Sequence, residues 1–448
     1  MTDHSSPPPG LAQRLAEARR LAAEGRGDAA VTLLAEGARH HAGDPALAVA
    51  LGQLLSDLGR HDSARQVLAA GLRARPDHLE LRGLLAAELA ADLETEAALA
   101  QLRTLLVLLP GQALIYANLG VLLQTAGRPD EAARNYRRAV TLDPADPVAQ
   151  VNLGTALMTL GDYRQGFAHY EHRLSLPGMR LPPAGLPRWQ GGAEAPRLLV
   201  TTEQGYGDIL QFIRFLPLLS ARAREVWLEC PAEMKRLFAD LPGLAGVVSP
   251  GDPIPKIDEV APLLSLPHRL GTGADLLAED IPYIKVPAIG PALPPDRRPR
   301  IGLAWSGRPA AGDLFIKKTL QRRNCPIEDL SPLWTLDQFC WIGLQLAEAA
   351  PEPILDLSPL MEDFAASAVL VSQLDLMISI DSAPAHLAGA LGVPLWVMLG
   401  PGQADYRWGG TEGVSPWYPK ARLFRAERAG WPALAAEMAA ALLKESFA

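Results

Sequence analysis

Along the first 177 residues of this 448-residue chain, apolar and polar positions form amphipathic helical stretches that return every 34 residues. Gly25, Gly59, Gly127 and Gly161 lie on that step, with Leu93 at the one place where the glycine is missing. Small residues keep the same step at Ala18, Gly52, Ala86, Gly120 and Gly154, and again at Ala30, Ala64, Ala98, Ala132 and Gly166. Pro76, Pro110 and Pro144 mark junctions between units, and Tyr136 and Tyr170 match in the last two copies. The pattern predicts one helix pair per unit. Small residues let the two helices approach, a glycine turn joins them, and proline stands before the next pair.

The clearest unit, ALIYANLGVLLQTAGRPDEAARNYRRAVTLDP, ends at Pro144. It resembles the tetratricopeptide repeat, and five copies over residues 8–177 predict an α-solenoid. Solenoids of this kind bind a peptide or protein segment on their concave face, so a protein partner is implied. Asn118 and Asn152 hold equivalent positions in the last two copies and are candidates to contact a bound backbone. Earlier copies carry Leu84, Ala50 and Ala16 there, which keeps helix packing open as their role.

The texture changes after Pro177. Residues 178–196 are rich in Pro and Gly and read as a linker, and every tryptophan lies at Trp189 or later. From Arg197, short apolar runs alternate with stretches long enough for helical crossovers. RLLVTT, EVWLEC, GVVSP, RIGLAWS, CWIGLQL, LDLMISI and PLWVML read as strands of parallel sheets. A proline-rich break at Gly290–Arg300 divides this α/β part into residues 197–297 and 298–448, each opening with a strand and a glycine-containing loop.

Composition narrows the function classes. A formal charge of −8 and a pI near 5.7 give no support to nucleic-acid binding. No run of about 18 apolar residues predicts a membrane span. The opening MTDHSSPPPG has neither the basic nor the apolar region of a secretory signal. Cys230, Cys325 and Cys340 are odd in number and lack metal-ligand spacing, which fits a reducing compartment. The expected location is cytoplasmic.

Two strand–loop–helix segments carry the candidate chemistry. In LLVTTEQGYGDILQFIRFLPLL, Gly205, Tyr206 and Gly207 form a tight turn and Asp208 stands at the helix start, at the sheet edge where ligands bind in open α/β sheets. A helix cap is the plainer reading of that aspartate. In SIDSAPAHLAGALGVP, a strand ends at Asp381 and Ser382, and a helix with Pro384 in its first turn runs to Leu391. A helix N-terminus aimed into a cleft is an anion site, with Ser382 as a hydroxyl donor and His386 one turn in. Caps and a satisfied buried imidazole are the alternative.

ISIDSAPAHLAGALGVPLWVML closely resembles the donor-site motif of glycosyltransferase family nine, the heptosyltransferase-like family, and GYGDILQFIRFLPLL resembles its acceptor-side loop. PLLSLPHRLGT, IGLAWSG and SPWYPKARLFR further resemble the subgroup whose transferase domain follows tetratricopeptide repeats. The resemblance implies a GT-B fold: two Rossmann-like domains facing a cleft, the second holding a nucleotide-sugar donor. It implies Asp208 as general base. It implies Asp381, Ser382, Ala383 and His386 at the donor's sugar and diphosphate, Gln345 near the nucleotide, and Ser306 and Gly307 near the phosphates.

The loop GRPAAGDLFIKKTLQRRNCP departs from the family pattern. It carries Lys317, Lys318, Arg322 and Arg323, of which Arg323 is best placed by its spacing to Pro326 to meet the diphosphate. In the aromatic loop ADYRWGG, Asp405, Arg407 and Trp408 either close over the nucleotide or pack the domain. No D-x-D triplet occurs, and His40-His41 and His169-x-x-His172 lack acidic or cysteine partners nearby, so neither a metal nor another cofactor is expected. The implied activity is inverting, metal-independent glycosyl transfer to an acceptor protein recruited by the repeats, by analogy with repeat-bearing protein O-glycosyltransferases that include those acting on flagellin. Transfer to lipopolysaccharide or another glycan, and an inactive scaffold binding proteins through its repeats, are the alternatives.

Overall fold

The computed structural model describes residues 10–41, 44–92, 94–179, 185–192, 196–271, 281–307, 323–346, 348–401, 405–409, 415–426 and 430–447. Among these residues no helix is long and apolar enough to cross a membrane. Lys317, Lys318 and Arg322 lie outside the described residues, as does Leu93.

Ten helices form five antiparallel pairs: α1 (Leu11–Ala23), α2 (Gly27–His40), α3 (Pro45–Asp57), α4 (His61–Ala74), α5 (Leu79–Ala91), α6 (Thr95–Leu108), α7 (Ala113–Thr125), α8 (Pro129–Leu142), α9 (Pro147–Thr159) and α10 (Tyr163–Tyr170). The 34-residue period has a physical cause at two positions. Gly25, Gly59, Gly127 and Gly161 all adopt φ between 70° and 84°, the left-handed conformation that stops the first helix of a pair. Gly52 and Gly120 mark where the second helix crosses. A Cβ on Gly52 would lie 2.6 Å from Leu68, and one on Gly120 would lie 2.5 Å from the Tyr136 ring. Asp44 and Asp146 cap α3 and α9 by accepting from Ala46 and Val148 N–H groups.

Contacts divide the chain into two compact units. The first runs to Ala126 and includes Arg134–Asp143; the second comprises Gly127–Ala133 and Pro144 onward. The fifth helix pair therefore packs with the α/β part. Gly154 on α9 and Gly166 on α10 touch backbone to backbone, and a Cβ on Gly154 would sit 2.7 Å from the Gly166 carbonyl oxygen. On its other side α10 joins the α/β core edge to face, Tyr163 against Trp417 at 6.0 Å and Phe167 against Phe212 at 6.1 Å between ring centroids.

Two all-parallel sheets follow. The first has strands β1 (Arg197–Thr201), β2 (Glu225–Glu229), β3 (Gly246–Val248) and β4 (Glu259–Pro262), in the order β3-β2-β1-β4. The second has β5 (Arg300–Ala304), β6 (Cys340–Gly343), β7 (Leu355–Asp356), β8 (Leu376–Ile380), β9 (Leu395–Leu399) and β10 (Arg422–Arg425), in the order β10-β9-β8-β5-β6-β7. Counted from β5, that is the 3-2-1-4-5-6 order of doubly wound sheets, with the order reversing between β5 and β8. The central strands are buried on both faces; every residue of β8 and β9 is inaccessible, as their unbroken apolar runs require. The seven expected strands all form. The helix expected after Gly207 is shorter than its apolar spacing implied: Tyr206–Phe212 is α-helical, and the 3-10 segment Ile213–Ala221, which contains Pro217, continues it.

Candidate functional site

The loops that leave β5 and β8 at the point where strand order reverses are the ones the sequence singled out. From β8 the chain turns through Asp381 and Ser382 into the helix Ala383–Leu391, and Gly392, at φ 75°, ends it. Pro384 suits the first turn, where an N–H has no partner to lose. Ser382 occupies the cap position without capping. Its hydroxyl donates to the Ile380 carbonyl at 3.3 Å and lies 3.0 Å from the Ser379 hydroxyl, while its carbonyl accepts from the Ala385 and His386 N–H groups at 3.0 and 3.3 Å.

Asp381 is buried, with His386 Nε2 at 3.7 Å from one carboxylate oxygen and Arg323 at 3.9 Å from the other. Burial works to raise its pKa, but His386, Arg323 and Arg407 outweigh it and hold the carboxyl down at about 2. His386 is itself buried. Its Nδ1 lies 3.0 Å from the Tyr418 hydroxyl, and its ring stacks on Trp408 at 5.2 Å between centroids. Tyr418 is fixed in turn by Tyr283, whose hydroxyl lies 3.3 Å away and donates to the Leu210 carbonyl at 3.0 Å.

On the β5 side, Gln345 does not present its carbonyl oxygen to a ligand. That atom accepts from the Trp305 and Ser306 N–H groups at 3.3 and 3.1 Å and so shapes the loop. The Gly307 N–H donates to Asn324 at 2.9 Å, and a Cβ on Gly307 would sit 3.4 Å from the Arg323 guanidinium. Ser306, Gly307 and Arg323 thus share one corner with Asp381.

From the other sheet, β1 leads into Gln204, the one non-glycine residue at positive φ (65°) among the described residues. Its side chain is gripped by the Tyr170 hydroxyl of α10, at 2.9 and 3.1 Å. Just before it, Glu203 is buried against Arg173 at 2.5 Å and also accepts from the Leu263 and Leu264 N–H groups. Gly205 begins the helix Tyr206–Phe212, and Asp208 reaches back to accept the Gly205 N–H at 3.1 Å. The cap role open to Asp208 is therefore filled.

The same carboxylate also binds the Arg407 guanidinium. Arg407 further donates to the Gln211 side chain at 2.8 Å and to both oxygens of Asp405 at 3.0 Å. Gly207 lies directly against His386: a Cβ there would come within 2.7 Å of His386 Cδ2. The structure therefore brings Gly207, Asp208, Asp381, His386, Arg323, Arg407 and Trp408 into one place. Asn118 is exposed and Asn152 half-buried on their helices.

Among the described residues, the buried side-chain atoms Gln211 Nε2, Arg323 Nε, Tyr406 Oη and Trp408 Nε1 in this neighbourhood have no hydrogen-bond partner. Unpartnered polar atoms are costly away from water, and their concentration here is what a site for a polar ligand requires.

Two tetratricopeptide-repeat models match the sequence, one over residues 21–88 and one over residues 113–146. The amino-terminal part of the chain carries tetratricopeptide repeats. A curated relative, Protein FlbA of Caulobacter vibrioides, is 25% identical over 342 residues, covering 63% of this chain and 53% of the relative. The chain thus spans about half the length of the curated relative it matches. Solved structures similar to this chain include MamA 41-end from Desulfovibrio magneticus RS-1, 24% identical, with a TM-score of 0.34 over 37% of this chain and 96% of that one. A MamA RS-1 double mutant is also 24% identical, with a TM-score of 0.34 over 36% of this chain and 91% of that chain.

Proposed function

We propose that the α/β part of this chain is a GT-B glycosyltransferase that moves a sugar from a nucleotide sugar to an acceptor hydroxyl with inversion, and that the repeats recruit a protein acceptor. The observation that carries this reading is the meeting of two sheet edges. The β1 loop with Asp208 touches the helix after β8 through Gly207 against His386, and the segment between β9 and β10 through Asp208 against Arg407.

Inverting transfer needs a proton acceptor on one side of the anomeric carbon and charge stabilisation for a departing diphosphate on the other. The two edges divide those tasks. The N-terminus of the helix Ala383–Leu391 and Arg323 receive the diphosphate, the helix through the positive end of its dipole. Asp381, held ionised, accepts hydrogen bonds from donor hydroxyls. On the facing edge Asp208 takes the acceptor proton as the acceptor oxygen bonds to the anomeric carbon. The carbon–oxygen bond to phosphate breaks, and its electron pair leaves with the nucleoside diphosphate. Gln345 keeps the β5 loop in shape beneath the phosphates, and Gly207 stays bare because His386 fills its space.

Thermal unfolding of the full chain against ADP-, UDP-, GDP-, dTDP- and CMP-linked sugars tests the reading. A bound donor at 100 times its dissociation constant stabilises by about 2.7 kcal/mol. One nucleotide class should raise the midpoint, and Asp381→Ala or His386→Ala should abolish the rise while the protein stays folded. No shift with any of the five classes would leave the repeats as the working part and the α/β part as a scaffold.

A further inference from the structure

The contact between Arg407 and Asp208 joins residues 199 positions apart and places a guanidinium on the carboxylate that the functional reading uses as a base. Both oxygens of that carboxylate are engaged, one by Arg407 and the other by the Gly205 N–H. The two carboxylates on Arg407 come from different parts of the chain. Asp405 lies two residues away on the same loop and also caps the Arg407 N–H at 2.8 Å, whereas Asp208 belongs to the loop after β1. The next residue, Trp408, stacks on His386, and the Arg407 charge is among those that act on Asp381, at the corner assigned to the diphosphate. The side chain that positions Arg407, Gln211, has its amide nitrogen buried without a partner.

We propose that Arg407 is a positioning residue shared between base and donor: without donor it neutralises Asp208, and with donor bound it turns to the diphosphate and frees Asp208 to accept the acceptor proton. This rests on the glycosyltransferase reading and deepens it. A planar guanidinium prefers a diphosphate, which offers several oxygens and more charge, to a single carboxylate. The acceptor hydroxyl is then deprotonated only when the donor is in place, and nucleoside diphosphate and Asp208 compete for one cation. When transfer occurs, the proton passes from acceptor oxygen to Asp208, and the charge that leaves on the diphosphate is met by Arg407.

Competition of this kind is measurable as linkage. Isothermal titration of the full-length chain with UDP, GDP, ADP and dTDP, and with the matching nucleosides, first identifies the diphosphate that binds wild type. Asp208→Asn removes the competing charge with little change of shape, and that diphosphate should then bind about tenfold tighter while the nucleoside is unchanged. Arg407→Gln should weaken the diphosphate alone, Arg407→Lys should restore part of the loss, and Asp208→Asn placed on Arg407→Gln should give no tightening. Tryptophan fluorescence melts confirm that each variant is folded. If a diphosphate binds wild type but Asp208→Asn leaves its affinity equal or lower, the sharing of Arg407 is refuted and the transferase reading stands. If none of the four binds wild type, the transferase reading falls and takes this inference with it.

Discussion

Replacing Gly207 by alanine tests the contact between the two sheet edges most directly. Gly207 sits within the helix Tyr206–Phe212 and its φ is not positive, so the backbone there accepts any residue. On helix propensity alone the substitution should stabilise by about 0.5–1 kcal/mol. Opposing this, the new Cβ would lie 2.7 Å from His386 Cδ2 and 3.4 Å from Nε2. His386 cannot retreat cheaply, because its ring is stacked on Trp408 and tied to Tyr418. Overpacking of that kind costs about 1–3 kcal/mol, so Gly207→Ala should destabilise by about 1 kcal/mol net.

The sign should reverse once His386 is gone. In a His386→Ala background the obstruction is absent, and Gly207→Ala should stabilise by about 0.5–1 kcal/mol. All nine tryptophans lie at Trp189 or later, so tryptophan fluorescence during guanidinium unfolding follows the α/β part without signal from the first four repeats. A complete double-mutant cycle by this assay gives the coupling directly. If Gly207→Ala stabilises the wild-type background, or acts equally in both, the two edges do not touch as described.

Further outcomes follow from other groups. Arg173→Met strands the buried Glu203 carboxylate and should cost about 3–5 kcal/mol, while Arg173→Met with Glu203→Gln should recover part of it, because the stranded charge is gone and the amide oxygen still accepts from one of the Leu263 and Leu264 N–H groups. His386, Arg323 and Arg407 hold the Asp381 carboxyl below its ordinary value against its burial, so it contributes stability that is fully present above the ordinary carboxylate range and lost as pH falls through its lowered value. Asp381→Asn should accordingly flatten the decline of the melting temperature in that acid window. Cys230, Cys325 and Cys340 are all buried, and burial raises each thiol, Cys230 to about 12, so a thiol reagent at pH 8 should label none of them until the protein unfolds.

The helix pairs were legible because each repeated position has a local cause, a left-handed glycine or a crossing that excludes a Cβ. Central strands were legible for a similar reason: burial on both faces demands unbroken apolar runs. The strands that escaped notice, β4, β7 and β10, all lie at sheet edges. There one side needs no full strand beside it, and short or charged segments such as Glu259–Pro262, bridged on its outer side only by Arg188, and Arg422–Arg425 suffice. In the site, the glycine turn and the strand-to-helix loop could be read from adjacent residues. The partnership of Arg407 with Asp208 could not, since it joins loops from different sheets. Tyr170 was visible only as a repeat position; that its hydroxyl grips Gln204 depends on where the fifth pair packs.

That packing sets where such a protein can be re-engineered. An array of repeats invites exchange, since new pairs can redirect the chain to a new target. Here the exchange has a natural limit. The fifth pair lends its aromatic residues to the α/β core, and α10 and the residues just after it lend Tyr170 and Arg173 to the loop that carries Asp208. A chimaera joined after Ser175 would lose the partners of Glu203 and Gln204 together, whereas one joined ahead of Asp146 keeps both. The first four pairs can be exchanged as a unit; the fifth travels with the α/β part.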